Sequence, residues 1–218
     1  MLRYNDQDNL FKLIGNSISE DIECYAFGGT AMMYYGFKDE TKDVDILFEE
    51  EKQREQFISA LRKLGFEQTT AFKVYSLEKS QDKSVPLMYK RDDYRFDLFL
   101  KKIFKTMLSP TMKEDLYAVH DYKGKYNFRI KVLKEEFIVL LKSVTNREKD
   151  FEDILNIVQK DTKFNWEFLM KEVLWQAKQD NDWIVLDIEE TLQELRKYVF
   201  IEEKYFEMLY EMIKAKKK

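Results

Sequence analysis

Cysteine, histidine, proline and glycine are all scarce in this sequence. Its 218 residues include one cysteine, Cys24, one histidine, His120, two prolines and six glycines. A disulfide framework needs paired cysteines and a structural zinc site needs several Cys or His ligands, so both are excluded. A Ser-His-Asp or Cys-His mechanism would depend on His120, but the run YAVHDYKGKY around it predicts only a turn-flanking histidine. Cys24, in an apolar strand-like run, is expected to be a buried and unreactive thiol.

Long apolar runs and an excess of basic residues are also missing. The formal net charge is −4, so a polyanion would have to be held by a local basic patch rather than by bulk attraction. No apolar stretch approaches the length of a membrane span. The first residues, MLRYNDQDNLFKL, lack the apolar core of a signal peptide. Together with the single thiol, these absences predict a cytoplasmic protein without a membrane partner.

Hydrophobic residues make up 44% of the chain, which is enough for a packed core. Apolar residues at helical spacing predict helices over residues 6–18 and 51–64, and a short helix in AMMYY that ends at Gly36. Strands are predicted for the runs IECYAF, DVDILF, FKVYSLE, VPLMYK, YRFDLFL and YNFRIKVL. The run KKIFKTML is predicted to lead into a helix.

Beyond residue 132 the pattern becomes helical. A helix is predicted up to residue 144, and a capping box formed by Thr145 and Glu148 is expected to begin the next one. Further helices are predicted around Trp166, after a second capping box at Asp187 and Glu190, and in the C-terminal tail. The run WIVLDI is ambiguous between strand and helix. We therefore expect an α/β domain with a mixed sheet over residues 1–132, followed by a helical bundle over 133–218.

Two aspartates, Asp43 and Asp45, lie in the strand DVDILF. Side chains alternate along a strand, so both carboxylates lie on one face. Like charges on one face repel each other, and a divalent cation would remove that cost. Mg²⁺ prefers oxygen ligands and keeps water or substrate phosphates in its remaining positions. The pair therefore predicts a magnesium site, and the alternative is a solvated strand end.

The glycine pair Gly28-Gly29 precedes Thr30 in the run YAFGGTAMMYYG. Glycine allows the backbone to approach a phosphate closely, and the free N–H groups of a helix start favour an anion. Thr30 is expected to cap the helix through its hydroxyl and to offer that hydroxyl to a phosphate oxygen. The three residues predict a triphosphate site, and the alternative is a plain tight turn.

A third carboxylate is expected on a neighbouring strand, and Asp97 in YRFDLFL is the best candidate. A charge in so apolar a strand is costly unless it is paired or bound to a metal. Asp97 would act as a general base toward an attacking hydroxyl and as a ligand of a second metal ion. The alternative is a charge on an edge strand.

A glycine pair with a following threonine, then Asp-x-Asp, then a later aspartate on another strand resembles the pattern of the polymerase-beta-like nucleotidyltransferase superfamily in its minimal form. The run FRIKVLKEEFIVLLKSVTNREKDFEDILNIV is similar to a segment in nucleotidyltransferase toxins of abortive-infection toxin–antitoxin systems. The resemblance covers residues 22–158. One departure is the run ETKD, which ends at the first aspartate, where the family often has R-x-T-x-D.

The resemblance implies a nucleotidyltransferase-like mixed sheet flanked by helices, with two Mg²⁺ ions around a bound NTP. It assigns the metal and the chemistry to Asp43, Asp45 and Asp97. It assigns nucleotide binding to Gly28, Gly29, Thr30, Lys42 and Lys142, and adds Arg147, Lys149 and Asp150 as further matched positions. The alternative for Lys142 is a solvated lysine opposite an apolar helical stripe.

The function implied is transfer of a nucleoside monophosphate from an NTP to a hydroxyl, with release of pyrophosphate. RNA or protein is the favoured acceptor, and a cognate antitoxin is an implied protein partner. The alternative is a non-catalytic module that binds a nucleotide or a partner on the same fold.

Overall fold

The computed structural model describes residues 1–69, 85–145, 147–161, 163–179, 181 and 183–215. The chain divides into two compact units. The first, the sheet unit, comprises Met1–Leu108 and Leu116–Leu133, and the second, the helical unit, comprises Ser109–Asp115 and Lys134–Lys218. The predicted strand FKVYSLE and the polar turn after it, residues 72–84, lie outside the described residues.

The sheet unit combines helices with a mixed sheet, as the sequence predicts. Its described helices are α1 (Tyr4–Ser17), α2 (Gly28–Tyr35) and α3 (Glu51–Lys63). Its described strands are β1 (Leu2–Arg3), β2 (Ile22–Ala26), β3 (Glu40–Thr41), β4 (Asp43–Phe48), β5 (Glu67–Thr69), β6 (Leu87–Arg91), β7 (Tyr94–Leu100), β8 (Lys102–Ile103), β9 (Thr106–Met107), β10 (Leu116–Lys123) and β11 (Asn127–Leu133).

The main sheet has the strand order β10-β11-β2-β4-β7-β6-β5. The pairs β11–β2 and β4–β7 are parallel, and the other neighbours in this order are antiparallel. Strands β8 and β9 extend it beside β7, and β1 pairs with β3 separately. The α/β fold class with a mixed sheet is therefore confirmed, and β7 is an interior strand rather than an edge strand.

One face of β4 and β7 belongs to the hydrophobic core. Val44, Ile46 and Phe96 are at most 1% exposed and pack in one cluster with apolar residues of α1 and α3, such as Phe11 and Phe57. Because side chains alternate along a strand, the residues between these point to the opposite face. The core thus fixes the orientation of β4 and β7 and presents their polar residues together.

The prediction for KKIFKTML is confirmed, because the run forms the short paired strands β8 and β9 and then leads into the helix Pro110–Glu114. The prediction for His120 is wrong. His120 does not flank a turn, because it lies within strand β10, where its ring stacks on Tyr34 at a centroid distance of 4.5 Å. Cys24 is fully buried as expected, and burial raises the pKa of its thiol.

The helical unit contains six helices among its described residues. They are α4 (Pro110–Glu114), α5 (Glu135–Thr145), α6 (Glu148–Lys160), α7 (Trp166–Ala177), α8 (Ile184–Leu195) and α9 (Glu203–Ala215). Helix α5 is buried on every side over residues 136–143 and forms the centre of this unit. In neither unit does any described helix have the length and apolar character to cross a membrane.

The helix boundaries here correct two local predictions. The break near residue 146 is confirmed, but α6 begins after Arg147 without a side-chain cap, so the capping box of Thr145 and Glu148 is wrong. The ambiguous run WIVLDI is helical from Ile184 onward, because helix α8 begins after Trp183. Asp187 therefore lies inside α8, and the second capping box is also wrong.

Candidate active site

The structure brings the three predicted aspartates onto neighbouring strands. Asp43 and Asp45 lie on β4, and Asp97 lies on β7, its parallel neighbour. Asp45 and Asp97 are register partners, and neighbouring strands are about 4.8 Å apart. The Asp43 side chain is 28% exposed, whereas that of Asp97 is 5% exposed. Asp45 and Asp97, 52 positions apart in the chain, are thus side by side in the sheet, and the Asp43 carboxylate is partly exposed to solvent.

Arg95, which is not among the predicted site residues, lies within this group of acidic side chains. Its Nε donates to Asp97 Oδ1 at 2.8 Å and its Nη2 donates to Asp97 Oδ2 at 3.2 Å. The same Nη2 forms an ion pair with Oδ2 of Asp43. Asp43 is the register partner of Arg95. Burial would lower the pKa of Arg95, but Asp97 and Asp43 outweigh burial and raise it. The guanidinium therefore stays charged and bridges two of the three carboxylates.

The glycine pair packs directly against strand β4, which carries Asp43 and Asp45, and against Thr41 on strand β3, which precedes it. A Cβ atom added to Gly28 would lie 2.5 Å from Asp45 Oδ2, and one added to Gly29 would lie 2.5 Å from Thr41 Oγ1. Gly28 also has a φ of +55°, in the left-handed region that favours glycine. The pair is therefore the start of helix α2 held against Asp45, and it is more than a plain tight turn.

Thr30 connects helix α2 to the acidic strand by a hydrogen bond. The predicted cap is wrong, because the helix begins after Phe27 and no side chain caps it. Instead, Thr30 is fully buried, and its Oγ1 accepts a hydrogen bond of 2.8 Å from the backbone N–H of Asp45. Thr41, on strand β3, also bonds to β4, since its hydroxyl donates to the carbonyl oxygen of Asp43 at 3.1 Å.

Replacing Thr30 with valine should lower the free energy of unfolding by about 1–3 kcal/mol, because the Asp45 N–H loses its buried acceptor. Thr30→Ser keeps the oxygen and is the matched control, with a smaller loss. Urea denaturation of both variants measures the difference. A valine variant as stable as the unchanged protein would show that the hydrogen bond to Asp45 does not contribute to stability.

Of the remaining predicted residues, Lys42 belongs to the sheet unit and the other four belong to the helical unit. Lys42 is exposed, one position before Asp43. Lys142 and Asp150 belong to the helical unit, where Lys142 Nζ donates to Asp150 Oδ1 at 2.8 Å. Arg147 Nε donates to Asp150 Oδ2 at 2.6 Å, and Lys149 is exposed. The solvated alternative for Lys142 is wrong, because the residue is 8% exposed.

Lys142 and Arg147 line a cavity of about 440 Å³ in the helical unit. Four carboxylates also line it: Glu148, Glu152, Glu190 and Glu194. Asp150 and Asp153 already accept hydrogen bonds from Lys142. A phosphate would therefore meet predominantly negative charge in this cavity.

The residues around Asp45 fit a magnesium ion by chemical type and charge. Mg²⁺ is usually bound by one or two carboxylates, with water and substrate phosphates as the other ligands. Among the residues that the structure describes, no three His, Cys, Asp or Glu side chains are placed to share one metal ion. The aspartates already neighbour one cation, the Arg95 guanidinium. A metal with two carboxylates and phosphates therefore suits the site better than a three-carboxylate cage.

Arg95 could have been found from the sequence. It stands two residues before Asp97 in YRFDLFL, and the alternation that places Asp43 beside Asp45 also places Arg95 beside Asp97. Thr41 stands where R-x-T-x-D has its threonine, but its contact with Gly29 depends on how closely the two segments approach each other in the fold.

Comparisons with known proteins add no relative to this picture: no protein-family model matches the chain, and no curated protein sequence is significantly similar to it.

Proposed function

We propose that this protein is a magnesium-dependent nucleotidyltransferase, which moves a nucleoside monophosphate from an NTP to a hydroxyl group. One observation carries the proposal: Asp45 is in register with Asp97 on one side and in contact range of the Gly28 backbone on the other. The start of helix α2 and strand β7 thus both approach one carboxylate on β4. A phosphate beside a glycine backbone, with carboxylates opposite, is the arrangement that metal-assisted nucleotidyl transfer requires.

The chain's own residues divide the work in this proposal. The Gly28-Gly29 backbone holds the triphosphate at the start of helix α2, and Asp43 and Asp45 hold Mg²⁺. When bound, Mg²⁺ neutralises charge on the triphosphate. Asp97 accepts the proton of the attacking hydroxyl, whose oxygen forms a bond to the α-phosphorus. The bond between that phosphorus and the bridging oxygen breaks, and pyrophosphate leaves.

RNA or protein is the acceptor class that we propose, with a cognate antitoxin as a protein partner; both follow from the resemblance to toxin nucleotidyltransferases. A second candidate function is a non-catalytic nucleotide- or partner-binding module. Arg95 favours this candidate, because its ion pairs with Asp43 and Asp97 already compensate two carboxylates without a metal.

The test is transfer of label from each of the four NTPs in the presence of Mg²⁺. The full chain is incubated with total tRNA or with lysate protein, using NTPs labelled at the α-phosphate and, separately, at the γ-phosphate. Nucleotidyl transfer should label a macromolecule from the α-position only. Asp45→Asn should abolish the signal, whereas Asp39→Asn, at an exposed aspartate in the preceding loop, should keep it.

Three results would contradict the proposal. Label arriving from the γ-position would indicate phosphoryl transfer. Label that survives equally in Asp45→Asn would place the chemistry elsewhere. Nucleotide binding by calorimetry without transfer to either class of acceptor would favour the binding module.

A further inference from the structure

Four charged side chains form a two-by-two arrangement on β4 and β7. Asp43 lies opposite Arg95, and Asp45 lies opposite Asp97. An anion opposite a cation is favourable in a sheet, but two anions opposite each other are not. Arg95, diagonal to Asp45 and bonded to Asp97, is the cation that relieves this repulsion.

The guanidinium occupies carboxylate oxygens of one residue proposed to hold the metal ion and of the residue proposed to accept the proton. Both oxygens of Asp97 accept from Arg95, and Oδ2 of Asp43 pairs with it as well. A bidentate contact of this kind is among the stronger hydrogen-bonded ion pairs. A divalent cation that approached Asp43 or Asp97 would meet the positive charge of Arg95 at short range.

We propose that Arg95 is a displaceable counter-ion, which competes with a divalent cation for Asp43, occupies Asp97, and transfers to the triphosphate when the nucleotide enters. This proposal rests on the proposed nucleotidyltransferase function. A planar guanidinium matches a phosphate as well as a carboxylate, so the arriving anion compensates Arg95 for the pairs that it gives up. Release of Asp97 from Arg95 also restores its capacity to accept a proton from the acceptor hydroxyl.

The competition predicts effects of opposite sign on metal and nucleotide. Removal of the Arg95 charge should tighten the binding of a divalent cation alone and weaken the binding of a nucleotide. A residue that only maintains the fold would weaken both when it is lost. Arg129 offers a matched control, because its Nε donates to Asp121 Oδ1 at the same 2.8 Å on another part of the sheet.

The experiment measures Mn²⁺ binding by its paramagnetic effect on water relaxation, in the full chain and in Arg95→Gln, Arg95→Lys and Arg129→Gln. Arg95→Gln should bind Mn²⁺ about tenfold more tightly than the unchanged protein, and Arg129→Gln should not differ from it. Calorimetry with a non-hydrolysable ATP analogue and Mg²⁺ should show about tenfold weaker binding to Arg95→Gln. Arg95→Lys keeps the charge but loses the bidentate contact, so a smaller change in the same directions is expected.

Mn²⁺ binding by Arg95→Gln that is no tighter than that of Arg129→Gln would overturn the proposal, as would weaker binding of both ligands. If circular dichroism shows Arg95→Gln to be unfolded, Arg95→Lys decides by the same two signs. Failure of the proposed function is separable: opposite shifts without any nucleotidyl transfer would retain the counter-ion and reject the enzyme. Transfer that depends on Asp45, with unchanged Mn²⁺ affinity in both Arg95 variants, would support the enzyme and reject the counter-ion role of Arg95.

Discussion

Replacing Lys142 with methionine should lower the free energy of unfolding by about 3–5 kcal/mol, because it leaves buried carboxylates without their cation. Lys142 Nζ donates to Asp150 Oδ1 and to Asp153 Oδ2, both at 2.8 Å. The side chains of Lys142 and Asp150 are 10% and 6% exposed. Methionine fills a similar volume, so the loss reports the charge rather than a cavity.

The pKa shifts of this pair agree on its ionisation. Burial by itself would lower the pKa of Lys142, but Asp150 and Asp153 outweigh burial and raise it. Burial would raise the pKa of Asp150, and Lys142 is the main cause of its net decrease. Both groups stay charged in the folded state, which is why removal of one partner is costly.

The control for Lys142→Met is Lys149→Met, at an exposed lysine beside Asp150 in the sequence. An exposed substitution of this kind should change stability by less than about 0.5 kcal/mol. Urea denaturation of both variants gives the comparison, and the double variant Lys142→Met with Asp150→Asn should recover part of the loss. Equal stability of the two methionine variants would show that the ion network does not support helices α5 and α6.

This result also bears on the role that the resemblance implies for Lys142. If Lys142 binds a phosphate, Lys142→Met should bind nucleotide more weakly at temperatures where the variant is still folded. If Lys142 only stabilises the helical unit, Lys142→Met should be less stable, with nucleotide affinity unchanged below the unfolding transition. The two bonded aspartates and the carboxylates around the adjoining cavity lead us to expect the second outcome.

Strands and helices with clear periodicity could be predicted from the sequence. DVDILF and YRFDLFL coincide with β4 and β7, because each places apolar residues on the face that packs in the core. The sequence does not predict strand β10, because apolar residues also lie on its exposed face. Tyr117 and Val119 are apolar but lie on its exposed face, 47% and 49% exposed, so the alternation of apolar and polar residues is lost.

The capping predictions were wrong because local patterns compete with tertiary contacts. Thr145 has the residue type of a cap, but its hydroxyl lies within hydrogen-bond distance of two other acceptors, Lys142 O and Asp150 Oδ2. Thr30 likewise bonds to the strand beside it and not to its own helix. A hydroxyl near a helix start has several partners of similar energy, and only the packed structure selects one.

The pairing of Asp45 with Asp97 could be anticipated only in part. The chemistry of the two strands indicated that the aspartates should meet, but their register depends on which strands become neighbours. The pattern of aspartates points to an external cation, whereas the fold already supplies a cation from within, the guanidinium of Arg95.

Replacing Gly28 with alanine should reduce nucleotidyl transfer by about 100-fold, which is the scale expected when a reacting group is misplaced by about 1 Å. The new Cβ would lie 2.5 Å from Asp45 Oδ2 and 3.2 Å from its Cγ, so the carboxylate has to move. Asp45 is the residue on which the glycine bend and β7 converge, and its displacement therefore separates the phosphate site from Asp97.

Gly36 provides the control for backbone strain. Its φ is +71°, and nothing lies within 4 Å of an added Cβ. Gly36→Ala therefore carries the cost of a left-handed alanine, about 1–2 kcal/mol, without touching Asp45. Urea denaturation should show a loss of that size in Gly36→Ala and at least as large a loss in Gly28→Ala, whereas transfer and Mn²⁺ binding should fall only in Gly28→Ala. Gly29→Ala tests the neighbouring contact, because its Cβ would press on Thr41 Oγ1 instead. Equal transfer in Gly28→Ala and Gly36→Ala would mean that Asp45 can move without consequence, and the carboxylate at the centre of the proposed site would have no part in the chemistry.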